Sequence, residues 1–150
     1  MKVCKSPNGV TTLGLGSCIG VALRDPVTKV GGLLHFMLPD SSVIKNNTCS
    51  AKFADTGIDE LVKLMVAAGA SKSRLEAKIA GGAQMFSFQN NSGMLRVGER
   101  NAEAAKKKLK AMGIKLLAED VGADYGRTVV FYPETGVYEI KSVGKPLKTI

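Results

Sequence analysis

The chain has 150 residues, a formal net charge of +8 and 45% hydrophobic residues. This length suits one domain over residues 1–150 with a single core, and the composition excludes the disordered and fibrous classes. No apolar stretch reaches the roughly 20 residues of a membrane-spanning helix. The first residues carry no apolar run of signal-peptide length, so we expect a cytoplasmic protein that does not insert into membranes.

The chain contains three cysteines, Cys4, Cys18 and Cys49, and a single histidine, His35. An odd number of cysteines without an export signal argues against a disulfide framework. The cysteine spacing also matches no zinc-ligand pattern. We therefore expect reduced thiols and no metal site.

The positive charge favours an acidic partner. The densest basic run is Lys106, Lys107, Lys108 and Lys110, within a helical pattern that begins near Asn101. We interpret most of this run as a solvated helix face. No recognition motif or aromatic–basic platform accompanies it, so the sequence does not favour nucleic acid as a partner.

The first forty residues are typical of β-strands. Their apolar-rich segments are residues 10–15, 18–23 and 30–38. Asp25-Pro26 has turn chemistry, because proline fixes its own φ and aspartate can bond the following backbone. These signals predict a hairpin that pairs residues near 18–24 with residues near 29–37. Such a hairpin could bring His35 close to Cys18.

A polar, irregular loop is predicted over residues 41–54. A loop of this length over a strand end suits a lid or a substrate-contact segment. It is equally compatible with a connection that has no role, and the sequence leaves both interpretations open.

Two helices are predicted in the remainder, the first capped by Asp55 or Thr56 and running to about Ala68, the second from about Asn101 to Met112. The strand-like segments are residues 75–80, 114–121, 129–132 and 137–143. This content predicts an α/β sandwich with largely antiparallel or mixed sheets. Helices and strands do not alternate regularly, which argues against a doubly wound parallel sheet.

Gly14 and Gly16 could open a dinucleotide-binding fingerprint. That motif needs a third glycine where this chain has Ile19, and it needs a helix directly behind the loop. No helical pattern follows, so we reject this interpretation.

The same glycine-rich turn could instead present Cys18 as a nucleophile. Small neighbours let a flat carboxamide approach, and the backbone N–H groups of Gly16, Ser17 and Cys18 could hold the oxyanion of a tetrahedral intermediate. The alternative is that Cys18 is a small buried residue in a strand, as most free cysteines are. The local sequence by itself favours that alternative.

A nucleophilic cysteine needs a base, and among imidazoles only His35 is available. A lone histidine in an apolar strand is more often a core residue, but its position beside the proposed hairpin supports the pairing. A third group must orient the imidazole. Thr12 and Asp40 are both candidates, and their spacing does not choose between them.

These residues resemble the chemoreceptor glutamine deamidase family, the CheD proteins. The most specific part is TLGLGSCIGVALRDP at residues 12–26, followed by GGLLHFMLPDS at residues 31–41. The shorter phrases KIAGGAQMF, VGERN and GIKLLAEDVG, at residues 78–86, 97–101 and 113–122, also resemble the family. One departure is Ala123, where the family usually has glycine, and it puts the local loop shape in doubt.

The resemblance implies that Cys18 is the nucleophile, His35 its base and Thr12 the third group. It also implies a fold similar to the catalytic domain of the cytotoxic necrotizing factor toxins. The implied substrates are glutamines on the cytoplasmic helices of methyl-accepting chemotaxis receptors, with glutamyl methyl esters as further substrates. A CheC-type phosphatase is the implied binding partner. We expect no cofactor, because deamidation needs only a nucleophile, a proton shuttle and water.

Three other functions compete with this interpretation. The chain could be a non-catalytic regulator that binds receptors or a phosphatase, with Cys18 dispensable. It could be a thiol hydrolase acting on small esters or amides, which would favour a closed pocket over an open site. A basic nucleic-acid binder is the third alternative.

Overall fold

A computed structural model describes residues 1–44, 48–84 and 96–150. The two α-helices of these ranges are α1 (Ala54–Ala67) and α2 (Val97–Ala111). The strands are β1 (Lys2–Lys5), β2 (Val10–Leu15), β3 (Ile19–Asp25), β4 (Val30–Phe36), β5 (Glu76–Gly81), β6 (Lys115–Val121), β7 (Arg127–Tyr132), β8 (Val137–Lys141) and β9 (Lys148–Thr149). Short 3-10 helices cover Ser41–Val43, Ser50–Lys52 and Lys72–Arg74.

The strands form two sheets. One has the order β1-β4-β3-β5-β6 and the other the order β2-β7-β8-β9. β5 and β6 pair in parallel, whereas the remaining neighbours among the named strands are antiparallel. This arrangement confirms the predicted mixed α/β sandwich.

The predicted hairpin is present, formed by β3 and β4. Its turn follows from Asp25, whose carboxylate accepts hydrogen bonds from the backbone N–H groups of Val27 and Thr28. The antiparallel register places Gly20 opposite His35. The hairpin therefore brings the histidine strand beside the residues that follow Cys18.

The central strands β3 and β4 of the five-stranded sheet are buried on both faces, so the single core expected from the length divides into two clusters. One cluster joins this sheet to α1 and α2 and includes Ile19, Val21 and Leu23 of β3. The other fills the space between the two sheets and includes Ala22 of β3 and Leu33 of β4. Because side chains alternate along a strand, Cys18 and His35 share the face that looks toward the second sheet.

The helix starts differ from the predictions. Phe53, fully buried, occupies the N-cap position of α1 without a side-chain cap, so the proposed caps Asp55 and Thr56 are wrong. Packing of the phenylalanine outweighs capping preference here. α2 begins at Val97, earlier than the expected start near Asn101. The expected start was late because Asn101 is a polar residue at a buried position and interrupts the apolar pattern of the helix.

The segment predicted as an irregular loop, residues 41–54, contains two 3-10 helices and the start of α1. Lys52 O accepts hydrogen bonds from the N–H groups of Met37 and Leu38, which ties this segment to the end of β4. Residues 45–47 lie outside the described residues. A role in covering the site stays a prediction.

Candidate active site

The three residues proposed for catalysis come from two strands of different sheets and from the loop before a third strand. Thr12 lies on β2 of the second sheet, His35 lies on β4, and Cys18 immediately precedes β3. All three side chains are half-buried. Thr12 Oγ1 lies 3.0 Å from His35 Nδ1, so the hydroxyl and the imidazole are within hydrogen-bond distance.

Cys18 is placed relative to His35 by the hairpin register. Since Gly20 is directly opposite His35, Cys18 is its diagonal neighbour on the same face. Diagonal neighbours across antiparallel strands are about 7–8 Å apart at the backbone. Cys18 also packs against the cluster between the sheets. The thiol and the imidazole therefore lie on the same face of the five-stranded sheet, at the border of this cluster.

Asp40, the alternative orienting group, has a different role. Its carboxylate accepts a hydrogen bond of 2.7 Å from the Ser42 N–H and caps the 3-10 helix that follows β4. The geometry thus favours Thr12 over Asp40 as the partner of the imidazole.

The backbone before β3 is held by the segment that follows β5. Ala83 N–H donates to Gly16 O, and Gly82 N–H donates to Cys18 O, each at 2.8 Å. In a trans peptide the C=O and the following N–H point in opposite directions. The Ser17 N–H, which follows Gly16 O, therefore points away from the residues that hold this backbone.

One of the three N–H groups expected to hold an oxyanion has another partner. Gly16 N–H donates to Gly14 O at 3.0 Å. The candidate oxyanion donors are therefore the N–H groups of Ser17 and Cys18.

Gly81 is required for this close backbone contact. A Cβ at this position would lie 2.2 Å from Cys18 O, and the residue has a φ of +114°, which side chains rarely allow. The sequence patterns did not place Gly81 in the site. The paired glycines of KIAGGAQMF are the signal that could have identified it.

Burial shifts the pKa values of Cys18 and His35 in opposite directions. It raises the pKa of the Cys18 thiol, and the residue's own backbone N–H opposes that shift. Burial, followed by the positive charge of the chain's amino terminus, lowers the pKa of His35. Both shifts favour the uncharged forms, a neutral thiol at Cys18 and a neutral imidazole at His35.

Comparison with known proteins shows the family. The sequence model described as CheD chemotactic sensory transduction matches residues 37–142. The chain is 61% identical to the probable chemoreceptor glutamine deamidase CheD of Lachnoclostridium phytofermentans, over 100% of this chain and 93% of that protein. The chain belongs to the CheD family. It is also 50% identical to the chemoreceptor glutamine deamidase CheD of Halalkalibacterium halodurans, again over 100% of this chain and 93% of the relative.

Ala123, the departure from the CheD pattern, keeps a glycine-like backbone. Its φ is +59°, in the left-handed region. Its carbonyl accepts a hydrogen bond of 2.8 Å from Gln84 N–H, and the preceding Gly122 N–H donates to Gly81 O. The alanine therefore leaves the loop in contact with the segment that holds Cys18.

Across residues 1–44, 48–84 and 96–150, no three His, Cys, Asp or Glu side chains lie close enough together to hold a metal ion. In the same part of the chain, no helix is long and apolar enough to cross a membrane.

Proposed function

We propose that this CheD-family chain deamidates glutamine side chains of methyl-accepting chemotaxis receptors, with Cys18 as nucleophile, His35 as base and Thr12 as the group that orients the imidazole. The observation that most supports this proposal is the contact between Thr12 Oγ1 and His35 Nδ1, near the loop that contains Cys18. The names of the relatives support the receptor glutamine as substrate.

The reaction begins from the neutral pair. As Cys18 Sγ attacks the carboxamide carbon, its proton passes to His35 Nε2. The Ser17 and Cys18 N–H groups donate to the oxyanion. The C–N bond then breaks, and the imidazolium gives its proton to the departing ammonia, which leaves a glutamyl thioester.

The second half of the reaction restores the thiol. His35 takes a proton from water while the water oxygen attacks the thioester carbon. The C–S bond breaks, and Cys18 Sγ recovers the proton from His35. A glutamyl methyl ester could enter the same cycle with methanol as its leaving group, so we extend the proposal to esters. No step needs a cofactor.

The partners follow from charge and compartment. The net charge of +8 suits an acidic receptor helix bundle, because long-range attraction speeds encounter. Cys4 and Cys18 are free thiols, which suits a reducing cytoplasm. A CheC-type phosphatase is proposed as a second partner on the strength of the family resemblance.

The test is mass spectrometry of receptor fragments incubated with wild-type chain and with Cys18→Ala. We expect the wild type to convert glutamine to glutamate with release of ammonia, and Cys18→Ala to do neither. The matched control is Cys4→Ala, because Cys4 is also half-buried and burial also raises its pKa. Deamidation by Cys18→Ala would refute the mechanism, and receptor binding without deamidation by the wild type would favour a non-catalytic regulator.

A further inference from the structure

We propose that Asn101 is a positioning residue that aims the Cys18 N–H at the oxyanion; the inference rests on the proposed role of Cys18 as nucleophile. Asn101 lies on α2 and is fully buried. Its amide nitrogen Nδ2 donates to Ser17 O at 2.9 Å and to Met37 O at 2.8 Å. No role in the site was assigned to it from the sequence.

The contact with Ser17 O acts on Cys18 through the peptide plane. Ser17 O and the Cys18 N–H belong to the same planar unit and point in opposite directions. A donor that holds the carbonyl on the α2 side therefore turns the Cys18 N–H away from α2. With Ser17 O held by Asn101 and Cys18 O held by Gly82, both peptide units of Cys18 are fixed.

The contact with Met37 O connects the same amide to the histidine strand. Met37 follows His35 by two residues, directly after β4. One amide group thus joins the entry to β3, which carries Cys18, to the exit from β4, which carries His35.

The surroundings of Asn101 show that its polarity has a cost. The neighbouring buried positions on this face of α2 are apolar, namely Ala102, Ala105 and Leu109. Within the described residues, Asn101 Oδ1 is buried and has no hydrogen-bond partner. A buried unsatisfied oxygen is unfavourable, so the amide is better explained by what its two hydrogens hold than by packing.

The decisive variant is Asn101→Leu, which keeps the approximate volume and removes both donors. We expect kcat on a receptor fragment to fall by about 100- to 1,000-fold, the usual cost of losing an oxyanion donor. We expect KM to change by less than about three-fold, because only the transition state carries the oxyanion. Alkylation of Cys18 by iodoacetamide, followed on its own peptide across pH, should keep the wild-type rate profile because it forms no oxyanion.

The controls separate positioning from stability. Leu109→Ala removes a buried side chain from the same helix and should leave kcat near wild type. If Asn101→Leu does not fold, Asn101→Ser decides, since serine can hold at most one of the two carbonyls and should lower kcat by about 10-fold or more. Wild-type kcat in a folded Asn101 variant, or a parallel loss of kcat and of Cys18 alkylation, would overturn the inference.

Cys18→Ala in the same assay keeps the two proposals distinguishable. Activity in Cys18→Ala would refute the nucleophile and with it the role of Asn101. An inactive Cys18→Ala beside a fully active Asn101→Leu would refute the positioning role alone.

Discussion

Thr12 and His35 belong to different sheets, yet Thr12 Oγ1 lies 3.0 Å from His35 Nδ1. If Nε2 is to accept the thiol proton, Nδ1 must carry the ring hydrogen and donate it to the threonine oxygen. The tautomer of the proposed base thus depends on how the two sheets dock.

Replacing Thr12 by valine removes this acceptor while keeping a β-branched side chain of similar size. We expect kcat for deamidation to fall by about 10- to 100-fold, the range that follows from losing one hydrogen bond to a catalytic group. Thr12→Ser should recover most of the loss. The neighbouring Thr11→Val is the matched control, because Thr11 Oγ1 donates to Val129 O instead of contacting the histidine. Equal effects of the two valine variants would contradict the orienting role.

The pH dependence should follow the free base form of His35. Because burial lowers the pKa of His35, the imidazole loses its proton below the ordinary value of about 6.5. Activity should therefore rise with pH to a plateau that is already reached near neutrality. A pH–rate profile of kcat/KM measures this, and NMR titration of the single histidine gives the same pKa independently. An acid limb centred above 7 would contradict the neutral resting pair.

Ala123→Gly should stabilise the protein. The left-handed backbone at φ +59° costs a residue with a Cβ about 1–2 kcal/mol, part of which the greater freedom of glycine in the unfolded chain offsets. We expect the free energy of unfolding in urea to rise by about 0.5–1 kcal/mol. Ala104→Gly, within α2, should have the opposite sign and cost about 1 kcal/mol. A destabilising Ala123→Gly would show that the methyl group has a packing role.

Asp25→Asn should destabilise the hairpin turn and its connection to the segment before β5. The buried Asp25 carboxylate accepts from Ser71 N–H and from the Arg74 guanidinium, at distances of 2.6–3.0 Å. Losing the charge should cost about 2–4 kcal/mol at neutral pH. Urea denaturation measures this loss.

The same carboxylate makes part of the stability depend on pH. Hydrogen bonding by the Arg74 guanidinium holds the pKa of Asp25 far below its usual range, so its contribution is complete above the unfolded value of about 4 and declines as the pH falls below it. The difference between wild type and Asp25→Asn should therefore shrink below about pH 4. A constant difference would mean that shape rather than charge is responsible.

The hairpin that the sequence predicted is formed by short-range structure. Asp25 closes the turn, and the register of β3 and β4 places Gly20 opposite His35. Local turn chemistry and a period of two suffice for this, since the two strands are adjacent in the chain. The mixed α/β fold followed from the same patterns.

Contacts between distant segments were decided by tertiary structure. Spacing could not choose between Thr12 and Asp40, because the contact between Thr12 and His35 forms only when the second sheet docks on the first. Only the family resemblance favoured Thr12 in the sequence. Asn101 marked a helix start in the sequence but lies buried within α2, where it bonds Ser17 and Met37. A sequence pattern reports which side chains are apolar along one element, whereas these polar contacts depend on which elements meet.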